Sequence, residues 1–389
     1  MSLALGRYLV LLAAGFLGAA ATGKLVPHVR WLAETYDVSL GLAGFAISAV
    51  MLPGALLSAG LGVVTDRLGA RNVALAGLLL GALASIGLGL AVGSFALLIA
   101  LRLVEGVGYC LLVVAATVLV VEVASERHRT LALAVWSSFA PVGFALGQWA
   151  ASAAEGADRL ASIGLGHGVA MLAAALAILI ALPGRGAHST NNAGGMLEGV
   201  RHRPALLAAL AFGCVTGVLL AAVAVTPLVL ASLGGMSVGE AARLTALAAL
   251  PGIAGRFAAG WLLGWKLTPR AVLMSAGIAG SITIALVLLA RLPLMAALVL
   301  FTLFQILMGI IPGVLSAMIP HVAPARDRIG TVSGLVNQMV TLGNLIGPPL
   351  VLSVYAAADA AGAAAMLAAW TVLCVALVVR LDVFARRLG

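Results

Sequence analysis

The chain has 389 residues, of which 63% are hydrophobic and only 9% are charged. A soluble domain carries roughly 25% charged residues, so a water-soluble fold of this length is excluded and lipid is the predicted surroundings of most of the chain. The formal net charge of +9 comes from basic residues scattered between apolar runs, which argues against a nucleic-acid partner, because that function needs clustered basic residues on a solvated face.

Charged residues and Gly/Pro clusters divide the chain into twelve apolar segments, which we number spans 1 to 12. Each reaches the ~20 residues that a membrane-crossing helix needs. Spans 1 to 6 cover residues 7–29, 39–64, 72–92, 95–122, 130–152 and 162–183, and spans 7 to 12 cover residues 204–231, 237–264, 271–290, 293–319, 329–354 and 360–381. The predicted fold class is therefore an all-α membrane protein with twelve transmembrane helices.

The longest polar stretch, residues 184–203, separates the first six spans from the last six. It predicts an N-terminal six-helix bundle over residues 1–183, a cytoplasmic linker over 184–203 and a C-terminal six-helix bundle over 204–389. The two halves also repeat: Pro53-Gly54 recurs as Pro251-Gly252, and the segment 121–129 resembles the segment 320–328. A parallel repeat of this kind predicts a substrate site near the membrane midplane, between pseudo-symmetric bundles.

The distribution of Lys and Arg predicts the orientation of the spans. With the N-terminus inside, fifteen of the 22 basic residues fall in cytoplasmic segments, and only Arg30, Arg159 and Arg291 fall on the other side. This asymmetry follows the positive-inside rule and predicts that both termini are cytoplasmic. The expected location is the bacterial inner membrane, and the expected state is a monomer.

The loop between spans 2 and 3 carries the segment GVVTDRLGAR, residues 62–71. It matches the pattern GxxxDRxGxR at every defined position, and so the chain resembles the major facilitator superfamily of secondary transporters. The resemblance implies transport by alternating access and a cytoplasmic latch between the two halves. The latch residues implied are Gly62, Asp66, Arg67, Gly69, Arg71 and Glu122.

Ionisable residues inside apolar spans are costly and usually face a cavity or a partner. Lys24 lies near the outer end of span 1, where it either extends to the outer headgroups or faces the cavity and attracts an anion. Arg256 lies in span 8 within Arg-Phe-Ala-Ala-Gly, which is similar to the Arg-Pro-x-x-Gly segment of monocarboxylate and oxalate/formate transporters. Both are predicted to bind substrate: Lys24 by attracting an anion, and Arg256 because an arginine fork holds a carboxylate through two hydrogen bonds. Helix packing is the alternative for Arg256.

Span 4 contains Arg102 and Glu105, three residues apart on one face of a helix. They either neutralise each other or serve separately, Arg102 in substrate binding and Glu105 as a proton carrier. The neutral candidates for substrate binding are Gln305, Asn337 and Gln338, with helix stitching as their alternative. His167, in span 6, is interpreted as structural, with a proton role as the alternative.

The predicted function is transport of a small organic anion, of monocarboxylate type, with proton coupling as one option. The alternative is proton-driven efflux of drugs or metabolites, which would need an acidic, aromatic cavity; aromatic residues make up only 5% of the chain. A membrane sensor that transports nothing is a third option. The sequence shows no metal-ligand or catalytic motif, and we expect no enzyme activity, metal or cofactor.

Overall fold

The computed structural model describes residues 3–125, 132, 135–136, 138–156, 158–182, 202–265, 267–322 and 329–388. Within these ranges the regular structure consists of fourteen α-helices and three 3₁₀ segments, and no strand is present. The prediction of an all-α protein is confirmed.

The helices of the first half follow the predicted spans, with short 3₁₀ segments at Val26–His28, Ala49–Met51 and Gly87–Ala91. They are α1 (Leu3–Gly23), α2 (Val29–Thr35), α3 (Leu40–Ser48), α4 (Leu52–Leu68), α5 (Ala70–Ile86), α6 (Phe95–Val123), α7 (Phe139–Ala151) and α8 (Arg159–Ala181). Those of the second half are α9 (Arg203–Gly234), α10 (Val238–Ala249), α11 (Gly252–Gly264), α12 (Pro269–Leu289), α13 (Leu294–Val322) and α14 (Ile329–Leu388).

Ten helical segments of the described residues are long and apolar enough to cross a membrane. One of them, Gly334–Arg380, covers both spans 11 and 12 and is interrupted by non-helical backbone at Ala358 and Asp359. Helix α7 lies in span 5, part of which falls outside the described residues. The described helices are thus compatible with twelve spans.

Two spans predicted as single helices are broken. Span 2 divides into α3 and α4, and span 8 divides into α10 and α11. The first break, the 3₁₀ segment Ala49–Met51, directly precedes the turn of α4 that holds Pro53, and the second includes Pro251, the N-cap of α11; these are the repeated Pro-Gly positions. Proline has no N–H to donate and its ring clashes with the preceding turn, so a helix begins at proline more readily than it continues through it.

The chain folds into two compact units. The first comprises Met1–Asp37 and Ala49–Asn191, and the second comprises Val38–Ser48 and Asn192–Gly389. Helix α3 therefore groups with the second unit. The boundary predicted within 184–203 stays a prediction, because nearly all of that segment lies outside the described residues.

Local sequence signals explain several helix ends. The side chains of Ser94 and Thr268 accept hydrogen bonds from backbone N–H groups in the first turns of α6 and α12, and Ser237 forms a capping box with Glu240 at the start of α10. Each cap satisfies donors that have no partner within the helix. Gly69 separates α4 from α5 at φ +83°, a conformation that favours glycine and accounts for this position of the loop motif.

Small residues bring the helices of the first unit close together. Helices α5 and α6 meet at Gly77 and Gly108, where a Cβ on either residue would lie 2.6 Å from the other's carbonyl oxygen. Helices α5 and α8 meet at Gly164, whose Cβ would overlap the carbonyl oxygen of Ser85. Lipid is as apolar as the helix surfaces, so close packing of this kind, and not the hydrophobic effect, drives the association of the helices. These contacts set the spacing of α5, α6 and α8.

In the second unit, α9 packs along α14. Gly343 and Gly347 of α14 sit against Gly213 and Gly217 of α9, with backbone atoms in direct contact. These two glycines of α14 belong to the sequence GNLIGPP (343–349), and α14 continues through Pro348 and Pro349. The segment is therefore a helix-packing element here.

Candidate functional site

Four elements of the first unit bring five polar side chains together in an apolar setting. Lys24 follows α1, Ser85 lies near the end of α5, Arg102 and Glu105 lie on α6, and His167 lies on α8. We call these five residues the buried charge cluster. The first four are each 2% exposed or less, and the side chain of His167 is 8% exposed.

Lys24 makes three polar contacts through its ammonium group. Nζ forms an ion pair with Glu105 Oε1, donates to Ser85 Oγ at 2.7 Å and lies 3.1 Å from His167 Nδ1. An ammonium group has three donors and no acceptor, so these three acceptors satisfy it completely. The alternative that Lys24 extends to the outer headgroups therefore does not hold in this structure.

Glu105 receives a cation at each carboxylate oxygen. Lys24 binds Oε1, and the guanidinium of Arg102 donates to Oε2 at 2.5 Å. The i,i+3 spacing on α6 produces the second pair, as the sequence suggested. Charge-assisted hydrogen bonds of this kind are roughly twice as strong as neutral ones.

The hydrogen bonds of His167 fix its tautomer. Nε2 lies 2.8 Å from the carbonyl oxygen of Leu17, and a carbonyl only accepts, so the proton of the neutral ring is on Nε2. Nδ1 is then an acceptor for Lys24 and also lies 3.1 Å from Ser85 Oγ. The Ser85 hydroxyl in turn lies 3.1 Å from the carbonyl oxygen of Gly164, to which it donates.

The charges within the buried charge cluster do not cancel. With His167 neutral, the two cations Lys24 and Arg102 share the single carboxylate of Glu105, which leaves one positive charge in excess. A buried unbalanced charge is costly and usually marks a functional site in a membrane protein. The cluster can therefore attract one negative charge.

The remaining candidates lie in the second unit, on three different helices. The side chain of Arg256 on α11 is partly exposed, and it forms no ion pair or hydrogen bond with any residue that the structure describes. Gln305 on α13 is buried. On α14, Asn337 is exposed and Gln338 is half-buried. Substrate binding by these four residues stays a prediction.

The loop motif is described in part. Arg71 donates to the carbonyl oxygen of Leu179, in the last turn of α8, at 2.7 Å, and Arg67 and Glu122 are exposed. The surroundings of Gly62 and of the Asp66 side chain lie outside the described part of the chain. The sequence did not predict the contact of Arg71 with α8. The latch implied by the family resemblance stays a prediction.

The sequence interpretation left Ser85 out of the candidate site and gave His167 a proton role only as the alternative. His167 is an ionisable residue in an apolar span, the signal that singled out Lys24 and Glu105, yet it was interpreted as structural. Ser85 gave no signal, because a serine in a transmembrane helix most often bonds its own backbone. Among the described residues no group of three or more His, Cys, Asp or Glu is placed to hold a metal ion.

Comparison with known proteins agrees with this architecture. The Major Facilitator Superfamily matches residues 11–348, whereas none of the curated proteins matches the sequence. The crystal structure of a bacterial homologue of the human lysosomal transporter Spinster, in an inward-facing and unoccupied conformation, is similar with a TM-score of 0.73, 20% identity, and coverage of 99% of this chain and 96% of that one. The inward-facing and occupied conformation of the same kind of homologue gives a TM-score of 0.76, 17% identity, and coverage of 97% and 95%.

At these identities the solved structures support the fold alone, while the family match covers most of the sequence. That match accounts for the apolar helices and the loop motif. The chain is a multi-pass membrane transporter that belongs to the Major Facilitator Superfamily.

Proposed function

We propose that the chain is a secondary transporter that moves a small organic anion of monocarboxylate type by alternating access, in symport with a proton. The observation that carries the proposal is the excess positive charge of the buried charge cluster, where Lys24 and Arg102 share one carboxylate. A monoanion is the charge that would balance it. The coupling proton belongs in the same cluster, which contains two ionisable candidates for it: Glu105, named from the sequence, and His167.

Arg256 supports the same substrate class from the second unit. It is a cation in an apolar helix, partly exposed and without an ion-pair partner among the described residues. Its planar guanidinium stays charged and matches the two oxygens of a carboxylate. Substrate binding is proposed for Gln305, Asn337 and Gln338 of the second unit as well, through their neutral donors.

Uptake of ¹⁴C-labelled acetate, L-lactate and pyruvate into proteoliposomes tests the proposal. We expect uptake of at least one of these probes by the wild-type protein, and a loss of tenfold or more in Arg256→Ala. Arg256→Lys should keep the charge but lose the fork, and should raise KM with little effect on kcat. Arg270→Ala is the matched control, since Arg270 is an exposed basic residue at the start of α12.

Two results would contradict the anion assignment. One is full uptake by Arg256→Ala together with full uptake by Lys24→Ala. The other is an overexpressing strain that tolerates drugs better than its parent while the purified protein moves none of the three probes. The second result would favour the efflux alternative, for which Glu105 would be the proton carrier.

The proposal includes a monomer in the bacterial inner membrane with both termini in the cytoplasm. The distribution of Lys and Arg supports this orientation. Labelling of single introduced cysteines with an impermeant maleimide tests it, and Cys110, Cys214 and Cys374 would first be replaced because they are free thiols. Labelling of a cysteine near residue 154 in intact cells, without labelling of one near residue 5, is the expected pattern.

A further inference from the structure

We propose that Nδ1 of His167 binds the coupling proton, and that proton binding there releases Lys24 from the buried charge cluster toward the transported anion. This inference rests on the proposed function, since coupling requires that the chain moves an anion. It assigns the proton to a residue that the sequence interpretation treated as structural.

The position of the accepting lone pair follows from the contacts of the ring. Nε2 is occupied by its bond to the carbonyl oxygen of Leu17, so Nδ1 carries the free lone pair of the neutral imidazole. Three polar atoms lie around Nδ1: Lys24 Nζ and Ser85 Oγ, each at 3.1 Å, and Glu105 Oε1 at 3.5 Å. A histidine is also the side chain whose charge changes most readily near neutral pH.

Proton binding at Nδ1 reverses the role of that atom. The bond from the Lys24 ammonium to Nδ1 breaks, because Nδ1–H is now a donor. The new N–H can donate to Glu105 Oε1 or to Ser85 Oγ, both of which are acceptors. Lys24 thereby loses one of its three acceptors and competes with His167 for the other two.

The charge of the buried charge cluster rises from +1 to +2 in the same step. Three cations then surround the one carboxylate of Glu105, and an arriving monoanion returns the net charge to +1. The proton favours the anion and, by thermodynamic reciprocity, the anion favours the proton by the same factor. This mutual preference couples the two solutes in the same direction.

The charged groups that face His167 come from the turn after α1 and from α6. Helix α1 and the turn after it supply the Leu17 carbonyl and Lys24, whose charge opposes the proton. Helix α6 supplies Glu105, which favours the proton, with Arg102 behind it. Helix α5 supplies the neutral Ser85, and the 3₁₀ segment Gly87–Ala91 has no ionisable residue.

Lys24 is the cation free to move. It lies where α1 gives way to the 3₁₀ segment Val26–His28, and it has a long flexible side chain. Arg102 is in the interior of α6, fully buried, and pairs with a carboxylate on the same helix. Glu105 is the less suitable proton acceptor, because each of its oxygens already receives a bond from a cation.

The test compares two matched histidine variants in proteoliposomes with ¹⁴C-labelled L-lactate as the probe, or acetate or pyruvate if one of those moves faster. Glutamine can keep a donor at the ε position but has no titrating nitrogen. His28→Gln is the control, because His28 is buried and its Nε2 also bonds a backbone carbonyl, that of Ala151, at 2.8 Å. Two transport modes are measured: accumulation driven by an inward proton gradient, and exchange of the anion at equal pH.

With the anion saturating on both sides, we expect His167→Gln to lose gradient-driven accumulation while it keeps exchange within about twofold of wild type, because loss of the proton site weakens anion affinity but not exchange at full occupancy. His28→Gln should keep both modes. Retention of gradient-driven accumulation by His167→Gln would overturn the inference, and so would loss of both modes in a folded variant, which would assign His167 to anion binding or structure. His167→Asn, which keeps an acceptor facing Lys24, replaces the glutamine variant if that does not fold.

A measurement without substrate separates this inference from the proposed function. In protein labelled with ¹⁵N-histidine, the six histidines give separate nitrogen signals, and the signal missing from His167→Gln belongs to His167. We expect the neutral Nε2–H tautomer and conversion to the protonated ring as the pH is lowered from about 8 to 5. An Nδ1–H tautomer, or a ring that never protonates in this range, would overturn the inference even if the wild type transports an anion. A wild type that moves none of the probes would overturn the substrate class only.

Discussion

Replacing Glu105 by glutamine should destabilise the first unit more than any other single change in the buried charge cluster. The substitution removes the only carboxylate and leaves Lys24 and Arg102 buried side by side, each 2% exposed or less. Two unit charges about 4 Å apart interact by about 4 kcal/mol at an effective dielectric constant of about 20. Breaking a buried pair on one side typically costs about 3–5 kcal/mol, and we expect Glu105→Gln to lie in that range.

Removing one of the two cations should destabilise the first unit less than removing the carboxylate does. Lys24→Met replaces a cation by an uncharged side chain of similar length. Arg102 stays paired with Glu105, so the cluster becomes neutral. Its cost is the loss of the three contacts of Nζ, roughly 1–3 kcal/mol. In the double variant Lys24→Met/Glu105→Gln only Arg102 keeps a charge, and the net charge returns to +1.

The assay is thermal unfolding of the purified protein in detergent, followed by the fluorescence of its six tryptophans. Glu105→Gln should lower the midpoint by roughly 10 °C, with Lys24→Met closer to wild type. Adding Lys24→Met to Glu105→Gln should raise the midpoint again, because it removes a repelling charge. A double variant that is less stable than Glu105→Gln alone would refute the electrostatic reasoning.

Three further predictions concern the framework of the two units. Gly164→Ala should lower the free energy of unfolding by about 1–3 kcal/mol, since the new Cβ would overlap the carbonyl oxygen of Ser85. Gly166→Ala should be near neutral, because open space surrounds that residue. Equal midpoints of the two variants in the same unfolding assay would contradict this. Gly69→Ala should cost about 1–3 kcal/mol, because φ is +83°, and an unchanged midpoint would show that the turn relaxes. Ser237→Ala should cost about 1 kcal/mol through loss of the capping box, measured as faster hydrogen exchange in the first turn of α10 with no change elsewhere.

Much of the architecture was predictable from local signals. Apolar length predicted where the spans lie, and the loop motif that includes Gly69 indicated the family. The repeated Pro-Gly positions were visible as a repeat, but two unbroken helices were expected there. The breaks at Pro53 and Pro251 arise from the missing N–H of proline, a signal that the apolar composition of both spans obscured.

The candidate site was predictable only in its separate members. The spacing of Arg102 and Glu105 on α6 predicted their pairing, and Lys24 was recognised as a costly charge in an apolar span. No sequence feature indicated that Lys24 would reach the same carboxylate from 81 residues away. The participation of Ser85 and His167 depended on the close crossing of α5 and α8 at Gly164.

The sequence by itself determined that the chain is a membrane protein, where its apolar spans lie and which family it belongs to. These properties depend on local composition, because lipid forces each apolar segment to satisfy its own backbone as a helix. Only the tertiary structure decided that Lys24, Glu105 and His167 share one network and that its charges leave an excess of +1. Residues so far apart in the sequence come together because the helices pack closely at glycines such as Gly77, Gly108 and Gly164. The register of one helix against the next exists only in the folded bundle.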